Sequence, residues 1–190
     1  MKNNPTHKDY ELIKKAIEGD ISAFRQLVYL HKDVSLSLAV SIVKDIALAE
    51  DILQDVFIKV YHKLNSFTYK SAFTTWLYRI VVNTSYNELK KKKKHLSLDL
   101  PQESFLLPPT VDTSINEADQ KKYIQLALQR LKPDESLVLR LFYLCELSIK
   151  EIEEITNFKI SKIKVLLHRG RSSIHFELKQ LLRDDLKHLL

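Results

Sequence analysis

Only two glycines, Gly19 and Gly170, occur in a chain of 190 residues, and the five prolines are unevenly placed. With abundant Leu, Ile, Lys and Glu, this composition argues for a mostly helical chain. The length allows one large domain or two small ones, each burying a modest core. Three of the five prolines, Pro101, Pro108 and Pro109, lie in residues 96–118, which hold no Lys or Arg. Pro108-Pro109 forbids a helix there and favours an extended path, so this stretch reads as an acidic linker on which Leu106 and Leu107 can dock to either side. The expected fold is all-α: a helical domain over 1–95, a flexible linker over 96–118, and a second helical domain over 119–190 containing a helix-turn-helix.

Several function classes are set aside by what the chain lacks. It has no run of about eighteen apolar residues, and MKNNPTHKDYELIKK has no apolar core for a signal peptide, so a cytoplasmic protein without membrane insertion is expected. The one cysteine, Cys145, excludes an internal disulfide and suits packing within Leu141–Leu147. The seven histidines are scattered, so no metal site is expected and no cofactor. An enzyme is not expected, since no acid–base pair, nucleophile or phosphate-cradling glycine loop stands out.

The formal net charge of +6 is split into blocks. Residues 1–95 carry 16 Lys and Arg against 10 Asp and Glu, residues 96–117 carry none against 4, and residues 118–190 carry 14 against 10. Two basic blocks flanking an acidic bridge imply a polyanion touched by both, with a solvated basic surface as the alternative.

Taken in order, residues 8–18 read as a helix stopped by Gly19, and Asp20 suits the N-cap of a helix from Ile21 to about His31. A third apolar helix follows from Asp33 to Lys44, then a break over 45–49. The next stretch, AEDILQDVFIKVYHKL, places Ile52, Val56 and Val60 on one face, widened by Leu53 and Phe57. Asp51, Gln54 and Asp55 lie near its start, where the macrodipole favours negative charge. They are either a well-placed acidic first turn or an edge offered to a basic partner.

A polar loop carrying Phe67, Tyr69 and Lys70 leads into a helix from about Ala72 with Phe73, Trp76, Arg79, Ile80 and Asn83, ending in Lys90, Lys91, Lys92, Lys93 and Lys94. Aromatics beside cations suit single-stranded nucleic acid, because each base has a face to stack and each nucleotide a phosphate to neutralise. Trp76 and Ile80 equally suit an ordinary core. The lysine run suits duplex phosphates or a solvated tail.

In the second basic block, Tyr123, Leu126, Ala127 and Leu131 follow a helical period, and Pro133 with Asp134 and Glu135 restarts the chain. Ser148 can cap a short helix whose Ile149, Ile152 and Ile155 face inward. Asn157, tolerant of the left-handed conformation, stands at the turn. Beyond it Ile160, Ile163, Leu167, Gly170 and Ile174 mark a buried side, so Ser161, Lys162, Val165, Leu166 and Arg169 are expected to point outward. That is the layout of a recognition helix entering a major groove, with Lys164, His168 and Arg171 as further cations. A plain amphipathic hairpin with a basic face remains the alternative.

The stretches AEDILQDVFIKVYHKL and SFTYKSAFTTWLYRIVVN resemble the second region of extracytoplasmic-function sigma factors of bacterial RNA polymerase, and LSIKEIEEITNFKISKIKVLLHRGRSSI resembles their fourth region. The resemblance covers most of the chain. It implies two helical domains, and that Asp51, Gln54, Asp55 and Phe57 engage the coiled coil of the largest polymerase subunit. It further implies that Phe67, Tyr69, Lys70, Phe73, Trp76, Arg79 and Asn83 capture the downstream promoter element and hold its strands apart. The second domain is implied to meet the flap of the second-largest subunit and read upstream promoter DNA, and an anti-sigma factor is an implied partner. Lys162, Val165 and Leu166 depart from the residues usual in the family, so promoter sequence is not transferable. Two other readings stay open: a helix-turn-helix regulator that binds duplex without polymerase, and a polymerase-binding adaptor that lacks promoter readout.

Overall fold

The computed structural model describes residues 6–96 and 117–188, with side chains described over 9–92 and 120–182. Four helices form the first module: α1 (Thr6–Ile17), α2 (Ile21–Val43), α3 (Ile46–Lys63) and α4 (Phe73–Leu96), with a 3-10 turn at Leu64–Ser66. The second holds α5 (Glu117–Arg130), α6 (Pro133–Leu139), a π-helical turn at Arg140–Leu144, α7 (Ile149–Thr156) and α8 (Ile160–His188). Of the linker expected over 96–118, Leu96 instead ends α4 and Glu117 and Ala118 begin α5, while residues 97–116, with Leu106, Leu107 and Pro108-Pro109, lie outside the described residues.

Local chemistry sets the breaks. Gly19 adopts φ +100° between α1 and α2, and the Asp20 carboxylate accepts from the backbone N–H groups of Ser22 (2.8 Å) and Ala23 (3.1 Å). Asp45 caps α3 by accepting from Leu48 N–H and also receives Lys92 at 3.1 Å, tying the end of α4 to the start of α3. These bonds hold the Asp45 carboxyl below its usual range, the Leu48 amide being the largest cause.

The two helices expected over 21–31 and 33–44 are one continuous α2 of 23 residues. Neither glycine nor proline interrupts it, and Ala23, Leu27, His31, Ser35, Leu38 and Ile42 keep one face buried throughout. His31 continues that face because Asp9 of α1 meets its Nε2 at 3.1 Å, giving the buried imidazole a polar partner. α2 is thus the spine of the molecule, packing against α1, α3 and α4 on its own module and against α5 and α6 of the other.

The two expected cores are joined. Buried side chains from Leu12 to Leu167 form one cluster that crosses from module to module. Polar bonds follow the same seam: Lys44 Nζ donates to the carbonyls of Gln129 (2.9 Å) and Leu128 (3.4 Å), and Arg140 donates to Ser37 Oγ and Gln125 Oε1. Within the second module α8 crosses α6 so closely that Gly170 faces the Leu139 side chain, where a Cβ would stand 3.0 Å away.

Candidate nucleic-acid interface

On α3, Ile52, Val56 and Val60 are buried and Asp51, Gln54 and Asp55 are exposed on the opposite side. Phe57, counted with that acidic edge in the sequence, instead turns half-buried against the core. The outward row contains two residues that sequence reading missed, Ile58 at 57% and Tyr61 at 47% exposure. Positions 51, 54, 55, 58 and 61 are spaced three and four apart, so counting the helical period on the polar side as well as the apolar side would have found them. Tyr61 lies edge-on to Phe24 of α2 at 5.0 Å, which carries the surface onto the neighbouring helix. The row is acidic and polar towards the start of α3 and apolar towards its end, a composition suited to a protein partner.

The loop aromatics do not behave alike. Phe67 was expected to stand free in a polar loop, but only 5% of it is exposed. Its ring sits 4.8 Å from Tyr69, 5.7 Å from Phe73 and 5.5 Å from Trp76, so it fills the space under the loop. Phe73 is buried too, against the edge of His31 at 5.4 Å, and Trp76 is half-buried above it. That leaves Tyr69 exposed at the brim, braced by Phe67 below and by Tyr10 at 5.2 Å. Its backbone is left-handed at φ +58°, a conformation that costs a non-glycine residue about 1–2 kcal/mol. The surrounding rings hold it there, and a ring so placed is available for stacking.

Along α4, Lys70 before it and Asn83 on it are exposed, whereas Arg79 is engaged: its Nε donates to the Glu154 carbonyl at 2.8 Å and its Nη2 lies 3.5 Å from the Glu154 carboxylate. The lysine run is also divided. Lys90 is exposed, Lys91 bonds Glu88 at 2.6 Å, and Lys92 is committed to Asp45. The side chains of Lys93 and Lys94 lie outside the described set.

The helix-turn-helix forms as its residues dictate. Ser148 and Glu151 make a reciprocal capping box at the start of α7, and Asn157 ends it at φ 57°, ψ 20°, the left-handed turn that leads into α8. Ser161, Lys162, Lys164, Val165, His168 and Arg169 are exposed along α8. Leu166, expected to point outward, is buried at 8% exposure: the inward face is wide enough to take Leu166 as well as Ile163, Leu167 and Gly170. Arg171 is exposed but its Nε donates to the Tyr143 hydroxyl at 2.7 Å. Lys162 bonds Asp134 at 2.9 Å and lies 3.4 Å from the centre of the Phe158 ring.

The order of these elements along the chain is matched by two family models. Residues 27–95 match the model of sigma-70 region 2, and residues 121–174 match that of sigma-70 region 4. The ECF RNA polymerase sigma factor SigW of Bacillus subtilis is 32% identical over 179 residues, covering 89% of this chain and 96% of that protein. The chain belongs to the extracytoplasmic-function sigma factor family.

The ECF RNA polymerase sigma-E factor of Escherichia coli is 29% identical over 199 residues, covering 92% of this chain and 96% of that one. Among solved structures, the sigma factor RpoE in complex with the anti-sigma factor NepR from Bartonella quintana superposes with a TM-score of 0.69 at 24% identity, over 84% of this chain and 98% of that chain. CnrH in complex with the cytosolic domain of CnrY superposes with a TM-score of 0.60 at 21% identity, over 94% and 99%. At these identities the two structures establish the shared helical fold. This sigma factor directs RNA polymerase to promoters, with region 2 in the first module and region 4 in the second. Among its described residues no helix is long and apolar enough to cross a membrane.

Proposed function

We propose that the work of promoter recognition is divided among three surfaces of this sigma factor. Asp51, Gln54 and Asp55, with Ile58 and Tyr61 continuing the row along α3, dock on the coiled coil of the largest core subunit. Tyr69 stacks an unpaired base of the downstream element over the Phe67–Phe73–Trp76 platform, with Lys70, Arg79 and Asn83 beside it. Stacking on such a ring is worth about 1–3 kcal/mol per base, enough to offset much of the cost of unpairing one. Lys90 and Lys91 follow duplex phosphates alongside Lys93 and Lys94.

The exposed edge of α8 reads the upstream element as duplex. Ser161, Lys164, Val165 and Arg169 reach base edges, the Val165 side chain suiting a thymine methyl, while Lys162, His168 and Arg171 serve phosphates. Region 4 also meets the flap of the second-largest subunit, and an anti-sigma factor of the kind bound in the two solved relatives restrains the protein. The chain acts in the cytoplasm and contributes no covalent step, since nucleotidyl transfer belongs to the polymerase.

The observation that carries this reading is the pairing of a strained, exposed Tyr69 with an otherwise buried aromatic platform. Transcription of fragmented host DNA by core enzyme, with and without this protein, tests it. New start sites that disappear with Tyr69→Ala are expected; unchanged start sites on adding the wild-type protein overturn it.

A further inference from the structure

α1 lies outside residues 27–95, the stretch matched by the region 2 model, and it holds none of the residues assigned to polymerase or promoter. Leu12, Ile13 and Ala16 are buried and dock it on the bundle. Towards its start, Asp9 and Tyr10 reach the aromatic loop by two routes. Asp9, 4% exposed, meets His31 Nε2 at 3.1 Å, and the His31 ring stands edge-on to Phe73 at 5.4 Å. Tyr10 stands edge-on to Tyr69 at 5.2 Å. Phe67 closes the circuit, 5.7 Å from Phe73 and 4.8 Å from Tyr69, so the contacts leave α1 at one residue and return to it at the next. We propose that Asp9 and Tyr10 are positioning residues for promoter opening, which together hold the Phe67–Phe73 platform and the Tyr69 ring in the arrangement that receives an unpaired base.

The inference rests on the assignment of Tyr69 to an unpaired base, and three observations support it. First, the left-handed backbone of Tyr69, at φ +58°, is a strained conformation that persists only where its surroundings over-determine it. The rings in contact with it are Phe67 from its own loop and Tyr10 from a separate helix. Second, neighbouring residues of an α-helix project about 100° apart, so Asp9 and Tyr10 serve the floor of the platform and its brim at once. Both ends of the circuit are thereby fixed to one rigid element.

Third, Leu12, Ile13 and Ala16 already attach α1, and apolar burial is non-directional. Asp9 and His31 are polar groups buried beside that apolar cluster, an arrangement that costs desolvation and fixes orientation. What the pair adds is therefore the direction of the imidazole, and through it the place of Phe73. A ring immobilised before DNA arrives loses little freedom on stacking, so more of the stacking energy is left to part the strands.

The test uses the full chain with core polymerase on a duplex spanning a start site mapped with the wild-type protein. Permanganate reactivity of unpaired thymines reads opening, and retention of the complex on the same duplex in the cold reads binding before the strands part. Tyr10→Leu, which keeps apolar bulk but loses the ring, is expected to lower opening about two- to tenfold, the range set by one aromatic pair, with duplex binding unchanged. Tyr10→Phe keeps the ring and is expected to restore opening. Asp9→Ala is expected to act as Tyr10→Leu does, and Asp9→Asn, which keeps a polar partner for Nε2, to restore opening. Tyr10→Leu added to Tyr69→Ala is expected to cause no further loss, because the ring it positions is gone. Unchanged opening in Tyr10→Leu, equal losses of binding and opening, or additive losses with Tyr69→Ala overturn the positioning role. If Asp9→Ala loses helicity by circular dichroism, the Tyr10 variants decide alone. Tyr69→Ala by itself separates the two readings. Unchanged opening there removes the assignment of Tyr69 and this inference with it, as does a wild-type protein that yields no start site. Loss there with wild-type opening in Tyr10→Leu removes only the role of α1.

Discussion

Lys44 and Gln129 are 85 residues apart in sequence, yet the Lys44 ammonium lies 2.9 Å from the Gln129 carbonyl and closes the C-terminus of α5. Lys44 itself ends α2 in the left-handed conformation, at φ 58°. One residue therefore finishes a helix in each module, α2 through its backbone and α5 through its side chain.

That position makes stability depend on pH. Burial, with the Arg140 charge as a second cause, lowers Lys44 from 10.5 to about 8. Between those values the unfolded chain holds the proton more tightly than the folded one, so stability rises as pH increases from about 8 towards 10.5. The Cys145 thiol, pushed up to about 11 by burial, acts with the opposite sign above its ordinary value, so Cys145→Ser is the background to use. Urea midpoints from pH 7 to 10 are expected to climb more steeply with Lys44 than with Lys44→Met. Parallel curves contradict the account.

The row on α3 predicts a separable polymerase contact. Truncating an anchoring aromatic in an interface costs about 2 kcal/mol, roughly thirtyfold in affinity. Tyr61→Ala and the pair Asp51→Ala with Asp55→Ala are each expected to weaken co-purification with core polymerase. Because all three side chains are exposed, helical content is expected to hold. Unchanged co-purification rules out this docking surface.

Asn157 is a position where glycine is better. At φ 57° a side chain carries a penalty of about 1–2 kcal/mol, which Asn reduces by local hydrogen bonding and glycine avoids. Asn157→Gly is expected to raise the melting temperature by a few degrees and Asn157→Ala to lower it. The reverse order in a thermal melt contradicts the role of the turn.

The lysine run predicts a split between binding and stability. Each phosphate contact contributes about 0.9 to the slope of log affinity against log salt for duplex DNA. Lys90→Gln and Lys91→Gln are expected to flatten that slope in promoter binding by the polymerase–sigma complex. Lys92→Gln instead removes the partner of Asp45, so it is expected to lower stability and leave the slope nearly unchanged.

Much of this was legible in the residues. The caps at Asp20 and Ser148, the stop at Gly19, the turn at Asn157 and the outward Asp51, Gln54 and Asp55 all follow from local rules of backbone geometry and helical period. The failures share a cause: each depends on what another element covers. Phe67 looked free because its loop is polar, but Phe73 and Trp76 of α4, with Tyr69 of its own loop, enclose it. Leu166 stands beside Leu167, and only the packing of the helices decides that both face inward. The bonds of Arg79, Arg140 and Lys44 cross between modules, a relation that no helical period encodes.

The aromatic platform also constrains how such a protein can diversify. Phe67 and Phe73 belong to the core that folds region 2, so exchanging them to suit a different base threatens the fold. Ser161, Lys164, Val165 and Arg169 on α8 are exposed and bear no comparable structural duty. Descendants of this chain can therefore retune the upstream half of their target sites with few penalties, while the downstream half stays tied to an almost fixed alphabet.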